Sequence, residues 1–176
     1  MLVIPILLLL VAASGAVLAL VRYERSIPPL LAAWPAEAEA VLVEKGERQL
    51  HLLREGAIYR SYRVSLGGEP RGHKARQGDL RTPEGRYILD WRNANSCCYK
   101  SLHVSYPGPA DRRIAAERGD DPGGQIMIHG QLNGWGWLGW LNVWRDWTHG
   151  CIAVRNVPME EIWRAVPNGT PIEIRP

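Results

Sequence analysis

Cysteine is scarce in this chain: it occurs three times in 176 residues. That excludes a fold held together by a disulfide framework. Cys97 and Cys98 are adjacent and could pair only as a strained vicinal ring, or not at all. Cys151 is left as the odd thiol, and an odd thiol in an exported chain is a candidate reactive group. Runs of like charge are also missing. The 21 Lys and Arg are scattered among 18 Asp and Glu, for a net charge of +3. No basic stripe of the nucleic-acid-binding kind results, so nucleic acid is not an expected partner. No internal repeat occurs.

The first 21 residues carry no charge at all. Roughly 20 apolar residues suffice to cross a bilayer as a helix, and Arg22, Tyr23 and Arg25 follow where interface anchors sit. Two readings compete: an uncleaved membrane anchor, and a signal peptide cut near Ser14-Gly15-Ala16 or Ala36-Glu37-Ala38. No basic stretch precedes the apolar run, which favours the anchor. No cysteine lies near residues 14–30, so a lipid-modified N-terminal Cys is excluded.

What remains is a globular composition, 46% apolar and 22% charged, of a size for one domain. Residues 22–37, with Pro28, Pro29 and Pro35, read as a spacer. From residue 38 the apolar pattern has a period of two. Residues 40–43, Leu50 and Leu52, and Tyr62, Val64 and Leu66 alternate with polar neighbours, broken at Lys45-Gly46-Glu47 and Arg54-Glu55-Gly56 by hairpin turns. Residues 67–85 read as a long loop. Short strands are expected at 87–89, 102–105, 125–128 and 152–154, a short helix at 109–118, and a last strand through Ile172 and Ile174. Asn156 is placed to cap a helix with Met159, Ile162, Trp163 and Val166 on its apolar face. The sum is a mainly β (α+β) domain with one or two short helices.

The chemistry gathers in two short stretches, Ile126-Met127-Ile128-His129-Gly130 and Asp146-Trp147-Thr148-His149-Gly150-Cys151-Ile152-Ala153-Val154. Each adjoins a short apolar strand, so both can reach one sheet edge. A thiol attacks as thiolate, and a neighbouring imidazolium lowers its pKa. Gly150 allows a sharp turn before Cys151 and exposes backbone N–H groups to an oxyanion. By ligand type, His129, His149 and Cys151 could also hold zinc, but no metal-ligand spacing supports that. The five Trp at 135, 137, 140, 144 and 147 read either as packing on the sheet edge or as a lid or platform for a glycan or stem peptide.

Those two stretches resemble the signature of the L,D-transpeptidase catalytic domain, the YkuD-like family. The resemblance extends to Gly72–Leu89 (GHKARQGDLRTPEGRYIL), to Ser101–Pro107 (SLHVSYP), to CIAVRNVPMEEIW and to the closing GTPIEIRP, and covers about residues 38–176. It implies an L,D-transpeptidase-like β-sandwich acting on peptidoglycan tetrapeptide stems, with Cys151 as nucleophile and His129 as proton donor and acceptor. The carbonyl of Gly130 would orient that imidazole, and His149, Gly150 and Cys151 would shape the oxyanion region. Trp137, Tyr106, Arg81 and His103 are candidate substrate contacts, with Lys74 a further cation for a substrate carboxylate. No metal or organic cofactor is implied. The acyl acceptor is a second stem, a protein lysine, a free D-amino acid or water. Water would make the enzyme a carboxypeptidase or amidase, and a non-catalytic wall-binding module is the alternative from another class. The implied place is the bacterial cell envelope, either anchored in the inner membrane facing the periplasm or exported after signal cleavage. Thr148 stands where the family more often has Ser, and the insert between His129 and Thr148 is long.

Overall fold

The computed structural model describes residues 12–19 and 35–176. Residues 12–19 are helical and exposed (α1). The rest of the expected anchor and most of the expected spacer fall outside the described residues. Among the described residues no helix is long and apolar enough to cross a membrane.

The chain from residue 38 onward builds one eight-stranded sheet. β1 (Ala40–Glu44), β2 (Gln49–Arg54) and β3 (Ala57–Arg63) form a meander whose turns fall at the two expected breaks. β4 (Gly85–Asn93), β5 (Ser101–Val104) and β6 (Met127–His129) form a second antiparallel run. β7 (Ile152–Ala153) adds to β6 in parallel, and β8 (Thr170–Arg175) inserts between β1 and β4. The order is therefore β3-β2-β1-β8-β4-β5-β6-β7.

This corrects the expected two-sheet sandwich. The last strand joins the two meanders into one mixed sheet, parallel to β1 and antiparallel to β4. The sheet also curls. Just past β3, Ser65 exchanges two 2.8 Å backbone hydrogen bonds with Ala153 of β7, so the two edges nearly meet. Val43, Leu50, Leu52, Leu66, Leu89, Leu102, Ile128 and Ile152 fill the interior. That arrangement explains the period-two pattern, since alternate side chains of a strand share a face.

Helix α2 (Pro109–Arg118) ends at Gly119 in the left-handed region. Helix α4 (Asn156–Ala165) buries Met159 and Ile162 of the expected face and leaves Trp163 half-buried; Val166 is buried just past its end, and Ala165 joins them. The Trp-rich insert contributes a 3-10 turn (Gly136–Leu138) and the short α3 (Gly139–Asn142), a helical segment that its glycines hid from the sequence pattern.

The long loop between β3 and β4 is pinned by buried charges. Lys45 Nζ donates to the carbonyls of Gly72 (2.7 Å) and Thr82 (2.9 Å) and to Glu84 (2.7 Å). Lys74 Nζ lies 2.8 Å from Asp79. Burial works against the Asp79 carboxylate, but Lys74 and the backbone N–H groups of Ala75, Arg76 and Arg81 hold its pKa down to about 2.

Candidate active site

His129 is the last residue of β6 and Cys151 immediately precedes β7. The two strands run parallel with His129 opposite Ala153 and Ile128 opposite Ile152. Val154 N–H donates to the His129 carbonyl at 2.9 Å. Residues two apart on a strand share a face, so Cys151 lies on the face of Met127 and His129, its Cα roughly 8 Å from that of His129 by ordinary strand spacing.

The imidazole is buried, 6% exposed. Its Nδ1 lies 2.6 Å from the Gly130 carbonyl. A carbonyl can only accept, so Nδ1 carries the proton and a neutral ring keeps its lone pair on Nε2. Burial pulls the imidazole pKa below its ordinary value, against the smaller opposing effect of the Gly130 bond. The Cys151 thiol moves the other way: burial raises its pKa, partly offset by the Met127 N–H beside it. Burial thus works against both charged forms, the imidazolium and the thiolate. Sγ points to the Gln125 carbonyl at 3.5 Å, and among the described residues no hydrogen bond joins it to the His129 ring.

The turn before Cys151 is tightly built. Gly150 has φ +128, and a Cβ there would lie 2.6 Å from the Arg81 carbonyl. Thr148 Oγ1 donates to the Cys151 carbonyl (2.7 Å) and accepts the Gly150 N–H (3.1 Å). Gly150 N–H is therefore taken, which removes it from the expected oxyanion donors. The amides on either side, at His149 and Cys151, remain. The His149 side chain is exposed and makes no hydrogen bond among the described residues.

The strand end at His129 is braced as closely. Asn156 does not cap α4, whose N-cap is Arg155 without a side-chain cap. Its Oδ1 accepts the Gln131 N–H at 2.8 Å and lies 2.7 Å from where a Gly130 Cβ would stand. Tyr99 and the Cys98 carbonyl close the other side of Gly130. Cys97 and Cys98 are free thiols 3.3 Å apart. Trp147 meets the His129 ring edge-on, centroids 5.9 Å apart. Its indole Nε1 is the buried side-chain polar atom that lacks a partner among the described residues.

The other candidates divide. His103 shares the sheet face of His129, because Ser101 pairs with His129 and His103 with Met127. Its Nδ1 is held by Asp90 at 2.7 Å and its ring stacks on Trp91, a neighbour the sequence pattern did not single out. Tyr106 is corrected from groove to core. It is buried, and its hydroxyl donates to the Pro122 carbonyl. Lys74 is likewise engaged with Asp79 rather than free. Arg81 is exposed and lines a polar pocket of about 380 Å³ in which Arg76 and Arg118 face Glu69, Asp79 and Asp120. Trp137 stands on the exposed insert, 63% accessible. Among the described residues no group of His, Cys, Asp and Glu could hold a metal.

The chain is similar to known proteins in sequence and in fold. The chain is 30% identical to YafK of Escherichia coli (strain K12) over 133 residues, 72% of this chain and 46% of that protein. It thus spans about half the length of this curated relative. Its fold matches the helical cell shape determining protein Pgp2 of Campylobacter jejuni (TM-score 0.58, 22% identity, covering 90% of this chain and 54% of that one). It also matches Bd1075 of Bdellovibrio bacteriovorus (TM-score 0.53, 22% identity, 79% and 48%). At these identities the two structures share the fold alone. The L,D-transpeptidase catalytic domain profile matches residues 38–174, nearly the whole described domain, and the chain therefore belongs to the YkuD family of L,D-transpeptidase catalytic domains.

Proposed function

We propose that this chain is a cysteine-dependent acyl transferase acting on peptidoglycan stem peptides. The observation that carries the reading is the His129 ring, fixed through Nδ1 on the Gly130 carbonyl, on the sheet face that Cys151 shares. Nε2 takes the thiol proton as Sγ attacks the carbonyl of the third, diamino-acid residue of a tetrapeptide. The N–H groups at His149 and Cys151 face the oxyanion that develops. The bond to the terminal D-Ala then breaks, His129 returns the proton to the leaving amine, and a thioester remains on Cys151. An acceptor amine attacks the thioester, passes its proton to His129 and frees the thiol. Burial suits a concerted transfer, since it disfavours the separated thiolate and imidazolium.

The acceptor classes are a second stem, a protein lysine, a free D-amino acid or water. The work belongs in the cell envelope, with residues 1–21 as the proposed inner-membrane anchor. The test is product analysis on a purified disaccharide-tetrapeptide. D-Ala release with formation of a cross-linked dimer supports transfer. Release with tripeptide alone moves the reading to a hydrolase. D-Ala release by Cys151→Ala at the wild-type rate would remove Cys151 as nucleophile.

A further inference from the structure

Trp147 packs on the His129 ring at the sheet edge, but three other aromatics of the Trp-rich insert do not. Trp135, Trp137 and Trp144 are 55%, 63% and 68% exposed, and Leu132 and Leu141 stand exposed with them. Single domains rarely leave such a patch in water without a use.

Charge narrows the occupant. From Pro122 to Arg145 the chain has no acidic residue, and Asp146 is held by Arg48 at 2.8 Å. Three arginines surround the patch. Arg63 lies 4.5 Å over the Trp144 ring and donates to the Val143 carbonyl. Arg145 is exposed, and Arg155 runs its stem past Gly139. None of the three belongs to an ion pair among the described residues. One exposed carboxylate, Glu47, lines a pocket with Arg63, Trp144 and Arg145, so guanidinium groups still outnumber carboxylates there. Indoles with guanidinium groups in excess suit a bilayer interface, with rings at headgroup level and cations on phosphates.

The amides argue against a sugar platform, which needs polar groups beside its aromatic face. Gln131 Nε2 donates inward to the Val154 carbonyl at 2.6 Å. The Asn133 amide donates to the Ser96 carbonyl and accepts from Tyr99 N–H. The sequence adds a tether: the uncharged residues 1–21 and a spacer over 22–37 that spans at most roughly 55 Å. That length lets the domain turn its loop to a leaflet, and tethering raises the local concentration of the two surfaces.

We infer that the segment from Leu132 to Trp144 docks on an anionic phospholipid surface, with Arg63, Arg145 and Arg155 on the phosphates. Because Trp147 continues this segment onto the His129 ring, docking brings that ring toward the membrane. Substrates within reach of the leaflet are then favoured. The docking itself does not depend on the acyl-transfer reading.

The full chain, carrying Trp34→Phe, is added to vesicles of equal parts phosphatidylcholine and phosphatidylglycerol, with or without bromine on the acyl chains. Brominated lipid is expected to remove up to roughly two fifths of the tryptophan emission, the share of three interfacial indoles among the seven that remain. The loss is expected to shrink in pure phosphatidylcholine and to vanish in W135S/W137S/W144S, although that chain still sediments with vesicles. No quenching of the parent chain, or equal quenching in parent and triple variant, overturns the inference. Failure of iodide to reach the loop before vesicles are added does so too, because residues 1–21 or a second copy then cover it. An emission shift with a wall-type oligosaccharide and none with vesicles replaces lipid by glycan.

Discussion

Two segments that meet at Trp147 follow opposite rules. The cradle, His129 to Gln131 and Thr148 to Cys151, is tightly packed at its glycines and its imidazole. Asn156, Tyr99 and the Arg81 carbonyl press against its glycines, and its thiol and imidazole are pushed toward neutrality by burial. The insert between them shows three tryptophans to solvent and keeps its described amides turned inward. The cradle is built to hold reacting atoms still, and the insert to meet another surface. Changes in the cradle should therefore cost rate and stability, and changes in the insert should cost neither stability nor fold.

The largest expected effect is on rate. His129→Ala should lower the rate of Cys151 acylation by about 10²–10⁴-fold, the worth of a positioned acid and base. Stopped-flow or intact-mass time courses check this, and an unchanged rate would remove His129 from the chemistry. Gly150→Ala comes next. Its φ of +128 and the 2.6 Å approach of the Arg81 carbonyl leave no room for a Cβ. A loss of roughly 1–3 kcal/mol or more is expected in urea unfolding, as for other strained sites.

A smaller effect comes with pH. The unfolded chain binds a proton on His129 more readily than the folded one does, because burial lowers the folded pKa. Its contribution to stability is thus lost as pH falls below the ordinary imidazole value of 6.5. The fall should be shallower in His129→Gln, measured by urea unfolding at several pH values. The smallest effect belongs to the insert: W135S/W137S/W144S should shift unfolding free energy by no more than about 0.5 kcal/mol, as exposed positions do. A larger loss would mean that these rings pack on the domain and that the contrast between cradle and insert is false.

Much of this was legible in the chain. The alternation of Leu50, Leu52, Tyr62, Val64 and Leu66 marks one face of a sheet, and Met159, Ile162, Trp163 and Val166 mark one face of a helix. The hairpin turns and the His-Gly and Gly-Cys stretches have local signatures as well. What was hidden depends on contacts far apart in sequence. No local pattern says that β8 inserts between β1 and β4, or that Ser65 bridges Ala153, so a sandwich and a curled sheet read alike. Asn156 carries the residue type of a helix cap, yet Gln131, 25 positions away, takes its carbonyl. Tyr106 and Lys74 look available until the burial of their partners is known. The thiol and imidazole shifts follow from burial, which composition does not give.

The central claim is that Cys151 accepts an acyl group from an amide carbonyl. Its most direct test is the intact mass of the protein after incubation with imipenem, whose strained amide serves as acyl donor, for wild type and Cys151→Ala. One stoichiometric adduct on the wild type and none on the variant is the predicted result. An unmodified wild-type protein, folded by circular dichroism, or an adduct that persists in Cys151→Ala, would contradict the account.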